Sequence, residues 1–197
     1  MMRGKRIGVI FILVLLISQS SGQKFSFGTC PTVTSLAGLM IDMISTTWRE
    51  YARTPSVHTH SWQCTLYTIT TVNSMISYSL SITGQNKVTQ QTFTVVGTIT
   101  AGGAAADAAT VAATFLTFQV PSYYTTKTAN YYIIDGADAA YLVLYSCENV
   151  LFGKVESVII LTTATATSAN IQSALTAVSN VGYPLHALRR GYQGCID

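Results

Sequence analysis

Between Ile76 and Ile82 the chain alternates without a fault: Ile76, Tyr78, Leu80 and Ile82 are apolar or aromatic, and Ser77, Ser79 and Ser81 between them are small and polar. Successive side chains of a strand point to opposite sides, so a period of two makes one buried face and one wetted face. The pattern returns at Phe93, Val95 and Ile99 against Thr92, Thr94 and Thr98. No helix satisfies this period, and half-buried strands of this kind belong to antiparallel sheets.

Eight strand-like runs follow one another: Trp48 to Ala52, Trp62 to Val72, Met75 to Ile82, Val88 to Thr100, Thr114 to Val120, Tyr131 to Ile134, Tyr141 to Cys147 and Ser157 to Thr162. Gly84-Gln85-Asn86-Lys87 reads as a turn and Ala101 to Thr110 as a loop of small residues. The period then changes. Ser168 reads as an N-cap, Ile171, Leu175 and Val178 recur at helical spacing, and Gly182 and Pro184 close the helix. The expected architecture is all-β: an eight-stranded up-and-down antiparallel β-barrel with one C-terminal α-helix packed outside. Such a barrel has no free edges and an interior wide enough for one small ligand.

Before these strands lies an export signal. Arg3, Lys5 and Arg6 precede an apolar run from Ile7 to Ile17, and Ser20-Ser21-Gly22 offers small residues for cleavage before Gln23. The run is shorter than the ~20 residues of a spanning helix. Residues 1–22 are therefore expected to be a signal peptide and residues 23–197 a single extracellular domain. Three of the 11 basic residues leave with the signal, and what remains is balanced against 8 acidic residues. A neutral chain has no electrostatic footprint for nucleic acid or anionic lipid. Charged residues make up only 10% of the sequence, against ~25% in an average domain, while 11 Tyr and 7 Phe argue against disorder.

Four cysteines, an even number in an exported chain, point to two disulfides, for which sequence alone allows three connectivities. Phe27-Gly28-Thr29-Cys30-Pro31, Trp48-Arg49-Glu50-Tyr51-Ala52-Arg53-Thr54-Pro55 and the segment from Tyr131-Tyr132-Ile133-Ile134 to Tyr145-Ser146-Cys147 resemble, in order, motifs of the lipocalins. The likeness is to the branch of apolipoprotein D and the arthropod bilin- and carotenoid-binding proteins. It implies Cys30–Cys147 and Cys64–Cys195 bridges, each closing a loop worth roughly 4 to 5 kcal/mol in the chain-entropy model. In this chain Thr46 stands where the family has a glycine, Gly136-Ala137-Asp138 replaces its turn, and Thr163 replaces an arginine that stacks on the tryptophan. Loss of that cation–π partner is expected to weaken the closed end.

The family register places Tyr67, Ile69, Phe93, Val95, Leu116, Phe118, Tyr131, Ile133, Leu142, Leu144, Ile159 and Leu161 inside the barrel. For residues 75–82 hydrophobic alternation puts Ile76, Tyr78 and Leu80 inside, whereas a gap-free alignment to the family puts the serines there. An apolar lining with a few phenols suits a small hydrophobic molecule. The resemblance implies a bound tetrapyrrole such as biliverdin, or else a carotenoid, retinoid, steroid or fatty acid, held non-covalently. His58 and His60 lie in the loop at the expected mouth and are candidate ligand contacts; no carboxylate or cysteine beside them completes a metal site. The carboxylates are scattered, and neither a Gly-x-Ser-x-Gly elbow nor a phosphate loop is present, so a binding protein is expected, not an enzyme. The other class is structural: a neutral Ser/Thr/Ala-rich protein that self-associates in a store, cuticle or foam, with its barrel filled by its own side chains.

Overall fold

The computed structural model describes residues 23–36, 44–55, 59, 61–73, 77–102, 115–121, 126–137, 139–191 and 195. The alternating runs form β2 (Thr47–Arg53), β3 (Trp62–Asn73), β4 (Ser77–Asn86), β5 (Thr92–Gly102), β6 (Phe115–Pro121), β7 (Thr126–Ala137), β8 (Tyr141–Val150) and β9 (Gly153–Thr162). Each pairs antiparallel with the next, and β9 returns to pair with β2, closing an eight-stranded barrel. Two short strands outside the expected set, β1 (Lys24–Ser26) and β10 (Arg189–Arg190), add to β9 and β2. Among the described residues no helix is long and apolar enough to cross a membrane. The proposed signal, residues 1–22, lies outside the described residues, as do His58 and His60.

Several boundaries differ from the sequence expectation. The strand β4 runs on through Gly84 to Asn86 instead of turning there. Asn86 Oδ1 accepts from the Val88 and Thr89 amides and Gln90 takes a left-handed φ of 57°, so Val88–Gln91, expected in a strand, makes the turn. Gly84 serves packing: a Cβ there would lie 2.7 Å from Cζ of Phe93, its cross-strand partner. Gly136 and Ala137 belong to β7, opposite Leu142 and Tyr141. The helix α1 (Ser168–Asn180) starts one residue after its true cap, since Thr167, not Ser168, is extended and accepts from the Asn170 amide while the Asn170 side chain reaches back to the Thr167 amide.

Two cores result. Inside the barrel, Trp48, Ile69, Tyr78, Leu80, Ile99 and Leu144 belong to one cluster, capped at the closed end by Ile44 and Leu36 of the N-terminal arm. The rival register, with the serines of β4 inward, is thereby excluded: Tyr78, Leu80 and Ile82 are buried. Outside, Ala174 and Val178 of α1 cover Val143, Tyr145, Val158 and Ile160. The closed end is built without the stacking arginine. Trp48 is 1% exposed and donates its indole N–H to the Ile44 carbonyl at 2.9 Å, while Thr163 Oγ1 bonds the Ala139 carbonyl at 2.5 Å, tying the end of β9 to the β7–β8 turn. Disulfides join Cys30 to Cys147 and Cys64 to Cys195, with Cα atoms 5.8 and 5.6 Å apart. The first pins the N-terminal arm to β8 and the second pins the C-terminal tail to β3.

The outer face of β3 to β7 carries hydroxyls in register. Thr70, Ser79, Thr98, Gln119 and Thr128 form one row across five strands, and Ser77, Thr100, Thr117 and Asn130 another across four. No charged side chain stands in either row.

Under β1, Glu156 accepts from Ser26 at 2.7 Å, Tyr145 at 2.7 Å and Lys154 at 2.9 Å. Burial alone would raise its carboxyl, but the bonds from Ser26, Lys154 and Tyr145 outweigh it and hold Glu156 below its ordinary value. A carboxylate depressed in the fold stabilises above its unfolded value, about pH 4.3, and that contribution is lost as pH falls through the depressed value. Urea unfolding against pH should show Glu156→Gln destabilised by about 1–3 kcal/mol at neutral pH, converging with the parent once the parent's Glu156 is protonated in both the folded and the unfolded state. A constant difference across the acid range would contradict this.

Candidate functional site

The mouth of the barrel is shaped by two irregularities in neighbouring strands. In β2 the register against β9 slips between Glu50 and Ala52: Glu50 lies opposite Leu161, Ala52 opposite Ile160 and Arg53 opposite Ile159. On a regular strand residues three apart face opposite ways. The extra residue at this β-bulge sends Ala52 to the outer core and returns Arg53 to the inside, on the same face as Glu50. In β3 the register slips between Gln63 and Leu66, with Cys64 at a φ of 53°. That second bulge turns Trp62, Thr65 and Tyr67 inward together.

These side chains form a buried polar cluster. Arg53 Nη1 donates to Glu50 Oε1, and the two make a buried ion pair. Arg53 Nη2 donates to the Thr59 carbonyl and, at 3.2 Å, to the Trp62 carbonyl. Tyr67 donates to Glu50 Oε2 at 2.9 Å. Burial first, then the Glu50 charge, pushes the Tyr67 phenol well above its ordinary value, so it stays a donor. The Trp62 ring stacks on Phe93 with centroids 4.3 Å apart, and the Arg53 guanidinium lies 5.9 Å from the Trp62 ring. Across the barrel Tyr131 and Ser157 share a hydrogen bond of 3.1 Å, and burial raises the Tyr131 phenol.

The C-terminal tail seals this corner. Beyond Arg49 the strands β2 and β3 cease to pair, and the tail takes the vacated place: β10 bonds Ala52 and Arg53, and Gly191 donates to the Tyr51 carbonyl and accepts from the Cys64 amide. Gly191 is against Glu50, where a Cβ would collide with the carboxylate and lie 2.9 Å from the Glu50 carbonyl oxygen.

The residues expected to line the interior are brought together. Tyr67, Ile69, Tyr78, Leu116, Phe118, Ile133, Leu142, Leu144 and Leu161 are buried members of the inner cluster, and Phe93, Val95, Tyr131 and Ile159 pack against it while only partly buried. Ile76 lies outside the described residues. Glu50, Arg53, Trp62, Thr65 and Ser157 were not anticipated there. A carboxylate three residues from an arginine within the strand Trp48-Arg49-Glu50-Tyr51-Ala52-Arg53 was the available signal. Among the described residues no group of three or more His, Cys, Asp or Glu could hold a metal ion.

A search of protein-family models finds no match for this sequence, and none of the curated proteins matches it. Its fold does have counterparts. Lobster apocrustacyanin A1 superposes with a TM-score of 0.67 over 87% of this chain and 92% of its own, at 14% identity. Insecticyanin from the tobacco hornworm Manduca sexta gives 0.68 over 86% and 88%, at 12% identity. H1 crustacyanin from the lobster Homarus americanus gives 0.67 over 86% and 91%, at 16% identity. At these identities the likeness is one of fold.

Gly191→Ala is expected to destabilise the protein by about 1–3 kcal/mol, the ordinary cost of overpacking, and to loosen the mouth more than the closed end. Hydrogen exchange resolved by strand would show faster exchange in the upper halves of β2 and β3. Uniform protection would contradict the assigned role of the tail.

Proposed function

We propose that this chain, a barrel with the lipocalin fold, encloses and carries a small hydrophobic molecule, with no chemistry of its own. One observation carries the reading: the interior is graded. At the closed end Trp48, Ile44, Leu144 and Leu161 are sealed from solvent, whereas towards the mouth Trp62, Phe93, Val95, Tyr131 and Ile159 are only partly buried although they face inward. Inward-facing aromatic and aliphatic side chains that are only partly buried near the mouth suit a ligand site. The favoured ligand is a tetrapyrrole such as biliverdin, bound non-covalently, with carotenoid, retinoid, steroid and fatty acid as alternatives. Supporting this is the likeness in fold to insecticyanin and the crustacyanins, together with the motif resemblance in sequence. Export with removal of residues 1–22 fits the two disulfides, which persist in oxidising compartments.

A second reading, a self-associating structural protein, is favoured by the charge-free hydroxyl rows on β3 to β7, which offer no repulsion between copies. The two readings separate cheaply. The carrier predicts a visible absorption band or an extractable apolar molecule in the natively purified protein, and quenching of Trp62 fluorescence by apolar probes that disappears in Trp62→Phe. A colourless protein that yields nothing to solvent extraction, leaves Trp62 unquenched and forms concentration-dependent oligomers would sink the carrier reading in favour of the structural one.

A further inference from the structure

The polar corner of the interior contains two groups whose hydrogen-bonding capacity is unused. Among the described residues, the Thr65 hydroxyl and Arg53 Nε are buried without a hydrogen-bond partner. Thr65 is fully buried and Arg53 is 5% exposed. Both belong to the same place: Thr65 lies on β3 between Trp62, whose carbonyl Arg53 holds, and Tyr67, whose hydroxyl Glu50 holds. It shares an inward face with Tyr67 and Ile69. A buried donor left unmade is costly, and structures keep such groups where something else satisfies them.

Charge narrows what that partner can be. Arg53 already has its counter-charge in Glu50, which is itself fully buried. An incoming carboxylate would enter as an excess anion next to a carboxylate, in surroundings that screen it poorly. A neutral oxygen meets no such opposition. It can accept from a donor left unpartnered there, the Thr65 hydroxyl or Arg53 Nε, while the rest of the molecule lies against Trp62, Phe93 and the apolar wall.

We infer that the mouth of this barrel selects apolar ligands ending in a neutral acceptor oxygen, a ketone, aldehyde or amide carbonyl, over ligands of the same length ending in a carboxylate. The inference rests on the carrier reading and narrows it, against fatty acids and towards ligands that present a neutral carbonyl here, as a tetrapyrrole does through its terminal lactams: the acceptor oxygen sits at the Thr65–Arg53 corner and the hydrocarbon points to the closed end.

The test is competition against N-phenylnaphthylamine, a neutral apolar fluorophore, by a methyl ketone and a carboxylate of equal chain length at neutral pH. The ketone should compete at least roughly tenfold better than the carboxylate, the size of a modest charge penalty. Thr65→Val, which keeps shape and removes the hydroxyl, should weaken the ketone about fivefold relative to the fluorophore, the worth of one hydrogen bond. Thr65→Ser should restore the ketone. A carboxylate that binds as well as the ketone, or a Thr65→Val protein that still binds fluorophore and ketone as before, overturns the inference and leaves the carrier reading standing. Failure of the parent protein to bind the fluorophore or either competitor overturns both. Circular dichroism of the two variants checks that the barrel is intact.

Discussion

Closure of the barrel through the pairing of β2 with β9 is the constraint on which the other features depend. An antiparallel sheet of this length has two edges whose backbone groups would otherwise seek partners, and here β9 meets β2 over Arg49–Arg53. The strand β2 cannot serve all its neighbours at once. It pairs with β3 only over Thr47–Arg49, then bulges, and its upper half is completed on the other side by the C-terminal tail. The Cys64–Cys195 bridge holds that tail beside β3. The seam, the bulge, the tail and the disulfide are thus one solution to a single shortage of hydrogen-bond partners.

The same bulge decides the chemistry of the mouth. It places Glu50 and Arg53 on one inward face, where each compensates the other's burial. Removing either partner alone would leave an uncompensated charge, a loss on the order of 3–5 kcal/mol. The pair therefore behaves as a fixed neutral unit, and it sets the polarity of whatever shares the interior. Beneath it the closed end carries no buried charge among the described residues, with Trp48 held by a hydrogen bond to Ile44 of its own arm in place of a stacking cation.

The strand order, the inward faces and the outer helix were legible in the sequence, because period-two alternation reports burial directly at residues such as Tyr78, Leu80, Phe93 and Val95. Alternation also chose the correct face of β4 over an ungapped alignment. It could not show the bulges at Tyr51 and Cys64, since a bulge exists only relative to the register of a partner strand. On a regular strand Glu50 and Arg53 would face opposite ways, and nothing in the sequence singles out Thr65. The turn at Val88–Gln91 was hidden for a related reason: Asn86 bonds locally to the two amides that follow Lys87, and propensity alone placed the break at Gly84. The short strands β1 and β10 contain too few residues for any period and form only because β9 and β2 offer edges. The placement of His58 and His60 lies outside the described residues.

The rows of hydroxyls and amides on β3 to β7 have a consequence for how this protein meets water. Most proteins keep themselves dispersed with charges, whose hydration and repulsion change with acidity and ionic strength. Thr70, Ser79, Thr98, Gln119 and Thr128 do not titrate in water, and their hydrogen bonds to solvent are the same in dilute or concentrated salt. These rows meet water through groups that do not titrate, so their wetting depends on hydrogen bonding far more than on pH.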